Sequence, residues 1–265
     1  MEQNGTNDEP LIIAHRGASF HAPENTLAAF RRAIDAGADG VEFDVRLARD
    51  GTLVVIHDET LSRTALRPGK ISDFTSDELN QIDVGSWFNA KYPKRSNPAF
   101  AGETIPMLAQ AMQLFQSFDG LIYIELKEGE DDPGSLSEAV CEIISKSPQR
   151  SRIIVKSFKL ALIPEIKQNL PHVQTAALFA PTIMGYLHGW KHIVETAREY
   201  GADQLSLHHS LASRKLVSLA SELKMPTTIW TLDNPAWLKR GRSLGVRALV
   251  TNDPSRMLSA RRFLL

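Results

Sequence analysis

A single cysteine, Cys141, stands among 265 residues. That excludes an internal disulfide and any zinc site built on several cysteines, and it is the usage of a reducing compartment. Charge of one sign is missing too: 30 Lys and Arg against 31 Asp and Glu leave a net charge of -1, with no basic footprint for nucleic acid or an anionic membrane. No apolar run approaches the roughly 20 residues of a membrane span. Residues 1–10 are polar and acidic, without the basic and apolar regions of a secretory signal. The chain is therefore expected in the cytoplasm, without stable membrane insertion and without a nucleic-acid partner. The common nucleotide and hydrolase fingerprints are absent as well: no Walker A loop, no Gly-x-Gly-x-x-Gly and no Gly-x-Ser-x-Gly elbow.

What the chain does have is rhythm. Hydrophobic residues make up 43% and charged residues 23%, an ordinary globular balance, and the length suffices for a sizeable core without staples. After a tail at 1–10, which reads as disordered, short apolar runs fall at 11–14, 40–45, 121–126, 152–155, 173–178, 204–207, 227–231 and 248–251. Most are continuous rather than alternating, as parallel strands covered on both faces require. Amphipathic segments lie between them, at 26–36, 108–118, 136–146, 160–169, 190–200, 211–223, 236–244 and 254–262. Eight runs interleaved with eight helices predict an α/β fold, a (β/α)₈ TIM barrel over residues 11–265, whose typical size is about 250 residues. A doubly wound open sheet is the competing architecture.

One stretch breaks the rhythm. Residues 46–57 read as a hairpin turning at Asp50-Gly51, and a small insertion at about 59–104 follows the second strand. It is either surface decoration or a lid over the barrel mouth. Its length and its aromatics Trp87 and Phe88, read as exposed, favour the lid.

Chemistry-bearing residues gather where the runs end, and in a parallel barrel the carboxyl ends of the strands build the active site. The first run closes on His15-Arg16-Gly17: Arg16 suits a phosphate oxygen, and Gly17 permits a tight turn. Asn25 or Thr26 is a natural N-cap for the helix that follows, and Thr26 is the preferred one. In Val41-Glu42-Phe43-Asp44-Val45 two carboxylates leave one face of an apolar strand. Their mutual repulsion and desolvation are relieved by a divalent cation, and carboxylate oxygens suit Mg²⁺ or Ca²⁺; pairing with Arg or Lys is the other solution. Glu125 and Lys127 repeat the pattern at the end of 121–126: Glu125 as a third ligand and Lys127 as a charge for phosphate, or the two as a surface pair. His57 closes the hairpin. With His15 it makes a candidate acid–base couple, because imidazole titrates near neutrality and displacement at a phosphodiester needs both a base and an acid. Trp230, at another strand end, either walls the pocket or packs in the core.

These pieces, in order, resemble a known family. His15-Arg16-Gly17, Pro23-Glu24-Asn25-Thr26, Glu42-Phe43-Asp44-Val45, the run from His57-Asp58 to Ser62-Arg63-Thr64, and Ile124-Glu125-Leu126-Lys127 strongly resemble the glycerophosphodiester phosphodiesterases, of the cytosolic bacterial type. Gly85-Ser86-Trp87-Phe88, Ile105-Pro106, Trp230-Thr231 and Thr251-Asn252-Asp253-Pro254 extend the likeness over nearly the whole chain. The resemblance implies a TIM barrel that hydrolyses glycerophosphodiesters to sn-glycerol 3-phosphate and an alcohol. It implies acid–base roles for His15 and His57, one divalent cation on Glu42, Asp44 and Glu125, and phosphate contacts from Arg16 and Lys127. A phospholipase C-like or lysophospholipase D-like phosphodiesterase on the same barrel is the alternative, and a catalytically silent binding barrel is the rival of another class. The chain departs from the family pattern at Met107, where Thr is usual. It departs again at Asn252 and Asp233, where the family often has Asp and Asn respectively.

Overall fold

The computed structural model describes residues 9–127, 129, 133–181 and 189–263; all but two residues of the tail expected at 1–10 lie outside that set. Among the described residues, eight parallel strands close on themselves. They are β1 (Leu11–His15), β2 (Gly40–Leu47), β4 (Leu121–Leu126), β5 (Ile153–Ser157), β6 (Gln174–Phe179), β7 (Gln204–His208), β8 (Thr227–Trp230) and β9 (Ala248–Thr251). The order runs β1-β9-β8-β7-β6-β5-β4-β2, and the β1–β2 pairing shuts the barrel. The ninth strand, β3 (Leu53–Val55), turns back antiparallel on the end of β2. The open doubly wound sheet is thereby excluded.

Alternation along each strand decides what faces the barrel axis. On β2, Val41, Phe43 and Val45 point outward into the helical layer. There Phe43 meets Phe30 of the helix Leu27–Asp35 at 5.3 Å and stacks on Phe115 at 5.8 Å. Glu42 and Asp44, at the intervening positions, face in. The lower barrel is plugged by Ile13, Tyr123, Ile154, Ala176, Ala248 and Val250. The registers then fix the upper layer: His15 stands opposite Glu42, Asp44 opposite Glu125, and Glu125 opposite Lys156.

The first helix is seated by Thr26, whose hydroxyl accepts from Ala29 N–H. Gly17 has φ +77°, and a Cβ there would lie 2.6 Å from the Ala29 carbonyl carbon. Only glycine brings the His15-Arg16 turn this close to the helix. The segment expected as a helix at 108–118 is α-helical over Leu108–Leu114 and tightens into a 3₁₀ turn at Phe115–Ser117, a common way for helices to end.

The insertion has cores of its own. Leu61, Ile71, Leu79, Ile82 and Val84 pack with Val54 and Ile56 of the hairpin. Trp87 (7% exposed) and Phe88 (0%) are buried rather than exposed. They pack with Phe100 and, on the barrel side, with Ala22 and Ala29. The hydrophobic effect has turned these rings toward the first helix, so the insertion is clamped to the barrel by the aromatics that the sequence suggested for a lid.

Candidate active site

At the carboxyl end of the barrel, Glu42, Asp44 and Glu125 each offer an oxygen within 4.8 Å of the others, and all three are buried. Burial disfavours their ionised forms, so cations must be near. Lys156 Nζ lies 2.7 Å from Glu42 Oε1 and 3.2 Å from Glu125 Oε2. Lys127 touches Glu125 and stands 3.3 Å from Asp44 Oδ1. Arg16 Nε is 3.2 Å from Asp44 Oδ2. For Asp44, burial is overcome by Arg16 and Lys127, and its pKa is held well below the carboxylate range. For Glu42, burial is overcome chiefly by Lys156, again lowering the pKa. Burial opposes the charge of Lys156 as well, but Glu42 and Glu125 hold its pKa above the ordinary lysine value. Glu42 and Asp44 therefore present anionic oxygens. Glu42 Oε1 and Glu125 Oε1 are enclosed without a properly directed hydrogen bond, and a single hard cation would satisfy both. The donor set, three carboxylates and no thiolate, fits such an ion.

Arg16 and Asn25 sit in the left-handed region, at φ 54° and 58°. Both turn toward the same carboxylate: Asn25 Nδ2 donates to Asp44 Oδ2 at 2.9 Å. Side chains in strained backbone cluster at functional sites. Of the two caps the sequence offered, Thr26, the preferred one, caps the helix, and Asn25 holds Asp44.

His15, at the end of β1, has its Nε2 3.9 Å from Glu42 Oε2. Burial is the main reason its pKa is lowered. Its Nδ1 meets Asn252 Oδ1 at 2.7 Å. His57, two residues beyond β3, is held through Nδ1 by Asp58 Oδ1 at 2.6 Å. Ile56 N–H donates to the Asp44 carbonyl at 3.0 Å, which ties the His57 segment to the carboxylate strand.

The insertion reaches this layer through Arg63. Its Nε donates to Asp58 Oδ2 (2.5 Å), and its two terminal nitrogens grip Glu24 at 2.7 and 2.8 Å. Glu24 in turn accepts from Arg16 at 2.6 Å. The Trp87 ring lies under the Arg63 guanidinium at 5.9 Å. Trp230, at the end of β8, meets Phe158 and His208 edge-on at 5.7 and 5.2 Å, an aromatic arc on the far side of the mouth from His57.

Lys156, Glu24 and Arg63 join the site although sequence reasoning gave them no role in it. Lys156 had a signal: a lysine following Ile153-Ile154-Val155 on a strand buried on both faces.

Comparison with known proteins agrees with this geometry. Residues 15–256 match the model of the glycerophosphoryl diester phosphodiesterase family. A glycerophosphodiester phosphodiesterase from Caldanaerobacter subterraneus subsp. tengcongensis is 35% identical over 251 residues, 94% of this chain and 96% of that one. Among solved structures, an Oleispira antarctica phosphodiesterase in complex with the product sn-glycerol-3-phosphate superposes with a TM-score of 0.84 at 27% identity, covering 96% of this chain and 97% of that one. A glycerophosphodiester phosphodiesterase from Thermotoga maritima does so with 0.71 at 26% identity, over 95% and 98% of the two chains.

Proposed function

This chain belongs to the glycerophosphoryl diester phosphodiesterase family, and from that premise we propose that it hydrolyses glycerophosphodiesters to sn-glycerol 3-phosphate and an alcohol, with one divalent cation, Mg²⁺ or Ca²⁺, and two histidines. The observation that carries the reading is the buried triad of Glu42, Asp44 and Glu125, ringed by Arg16, Lys127 and Lys156 at the mouth of the barrel. Such a cluster attracts a phosphodiester only when its negative charge is answered.

Glu42, Asp44 and Glu125 would hold the cation, whose chemistry is to polarise the phosphoryl oxygens and offset charge as it develops. Arg16 donates to a non-bridging oxygen, and Lys127 offsets the charge that builds on the phosphorane-like transition state. His15, kept neutral by burial, has a lone pair to accept a proton or, once protonated, a proton to give. His57, with Nδ1 committed to Asp58, keeps Nε2 for the same trade. One removes the proton of the attacking hydroxyl and the other protonates the departing alkoxide. Trp230 walls the pocket beside the substrate.

Release of sn-glycerol 3-phosphate from a panel of glycerophosphodiesters, with and without EDTA, tests the reading. Turnover that EDTA abolishes and Mg²⁺ or Ca²⁺ restores is expected. Equal turnover in EDTA removes the cation from the mechanism, and no turnover of any member of the panel removes the activity.

A further inference from the structure

The two strand-end positions where the chain departs from the family pattern, Asn252 and Asp233, touch each other. Asn252 Nδ2 donates to Asp233 Oδ2 at 2.8 Å, and Asn252 N–H donates to Asp233 Oδ1 at 2.8 Å. Thr251 Oγ1 donates to the same Oδ1 at 3.0 Å. A carboxylate only accepts, so it dictates which end of the Asn252 amide faces it. The Nδ2 end must point to Asp233, and the Oδ1 end is left facing His15 Nδ1 at 2.7 Å and Ser19 Oγ at 2.9 Å. An oxygen in that place only accepts, so His15 carries its proton on Nδ1 and leaves Nε2 bare toward the carboxylate triad.

We infer that Asp233 is a positioning residue: acting through Asn252, it sets the tautomer and the ring orientation of His15. This rests on the acid–base role proposed for His15, although the arrangement itself does not. A carboxylate hydrogen-bonded to imidazole Nδ1 is the usual orienting device. Here the carboxylate stands one residue farther out, and a neutral amide makes the contact. The charge of Asp233 therefore selects the tautomer without placing an anion directly on the ring.

The pair invites a reciprocal exchange. Asp233→Asn keeps an oxygen for Thr251 and for the Asn252 N–H, so the loop retains its bonds. It sets one NH₂ against another, however, and the Asn252 amide is free to turn its donor toward His15. Asn252→Asp keeps an acceptor at His15 but brings two carboxylates together. The double variant Asn252→Asp/Asp233→Asn restores one donor facing one acceptor.

The experiment measures kcat and KM on glycerophosphocholine and the ¹⁵N imidazole spectrum of Mg²⁺-bound protein, with the His15 resonances identified by their loss in His15→Gln. In wild type the His15 proton is expected on Nδ1. Asp233→Asn should mix the tautomers and lower kcat about 10-fold or more, the low end for loss of a partner behind a site residue, with KM changed less than 3-fold. The double variant should recover kcat above either single variant and return the proton to Nδ1. If Asp233→Asn keeps both wild-type kcat and the Nδ1 proton, or if the double variant is no better than the product of the singles, the relay is wrong. Wild type that turns over no glycerophosphodiester overturns the functional reading instead, and the imidazole spectrum, which needs no substrate, still decides the relay.

Discussion

Lys156 Nζ stands 2.7 Å from Glu42 Oε1, with the lysine 3% and the glutamate 0% exposed. A charge this deep is retained only when paired, and removing one member of a buried pair typically costs about 3–5 kcal/mol. Lys156→Met would strand Glu42 without its lysine and leave Glu125 to Lys127 alone. In a domain of this size that cost lowers Tm by roughly 10 °C in EDTA. A divalent ion supplies the lost charge, so Mg²⁺ or Ca²⁺ should raise the Tm of Lys156→Met more than that of wild type. Thermal scans with and without the ion check this; an equal rise in both proteins would mean that lysine and ion do not share the triad.

The sequence made much of this layer legible, because period-two spacing places Glu42 with Asp44 and Glu125 with Lys127 on single strand faces. Eight apolar runs sufficed for the barrel, since parallel strands are buried on both faces. What local pattern could not reach were partners set by register and turn. Lys156 meets Glu125 only because β5 pairs with β4, and the apolar run read at 152–155 stops one residue short of it. Asn25 read only as the second choice of cap, since its left-handed φ, which turns it to Asp44, has no signature in composition. Trp87 and Phe88 lie in a segment without periodicity, and their burial depends on Phe100 and Ala29, remote in sequence.

Glu24 gives the fold a defined acid limb. Burial opposes its charge, but hydrogen bonds from Arg63 and the charge of Arg16 prevail, lowering its pKa from 4.5 to about 2. A depressed carboxylate stabilises the fold fully above its unfolded pKa, near 4.5, and loses that contribution as pH falls through 2. The contribution is about 3 kcal/mol at neutral pH. The stability gap between wild type and Glu24→Gln should be widest at pH 6–7 and should shrink steadily between pH 4.5 and 2. Urea midpoints across that range decide it, and a gap independent of pH would show that Glu24 acts through packing alone.

Arg63 links the insertion to both sides of the chemistry, through Asp58 to His57 and through Glu24 to Arg16. A forked guanidinium makes both contacts in one plane, which an ammonium does not. Arg63→Gln should lower kcat/KM by about 10–100-fold, the usual loss when a group behind a site residue is removed. Arg63→Lys should fall between the two. Because Arg63 and Asp58 share one network, Arg63→Gln and Asp58→Asn combined should lose less than the product of their single effects. Strict additivity of the two would separate Arg63 from His57.

The histidine pair carries the sharpest test. His15 ends β1 and His57 follows the hairpin built on β2, a neighbouring strand, so both stand at one mouth. Each has its Nδ1 engaged, by Asn252 and by Asp58, and the proposed mechanism uses the Nε2 of each. A phosphodiester held at the triad would lie with a base on one side and an acid on the other, as in-line displacement requires. Acid–base groups contribute about 10²–10⁴-fold each, so His15→Ala and His57→Ala should each lower kcat by that order. Cation affinity should be nearly unchanged, since the proposed ligands are carboxylates. The double variant should lose less than the product, because in the proposed mechanism the two act in one proton transfer sequence. A substrate with a good leaving group needs little protonation and should rescue only the variant that has lost its acid. That comparison assigns the roles. A single variant that stays folded, binds the cation and keeps wild-type kcat on glycerophosphocholine would make its histidine structural and end the two-histidine mechanism.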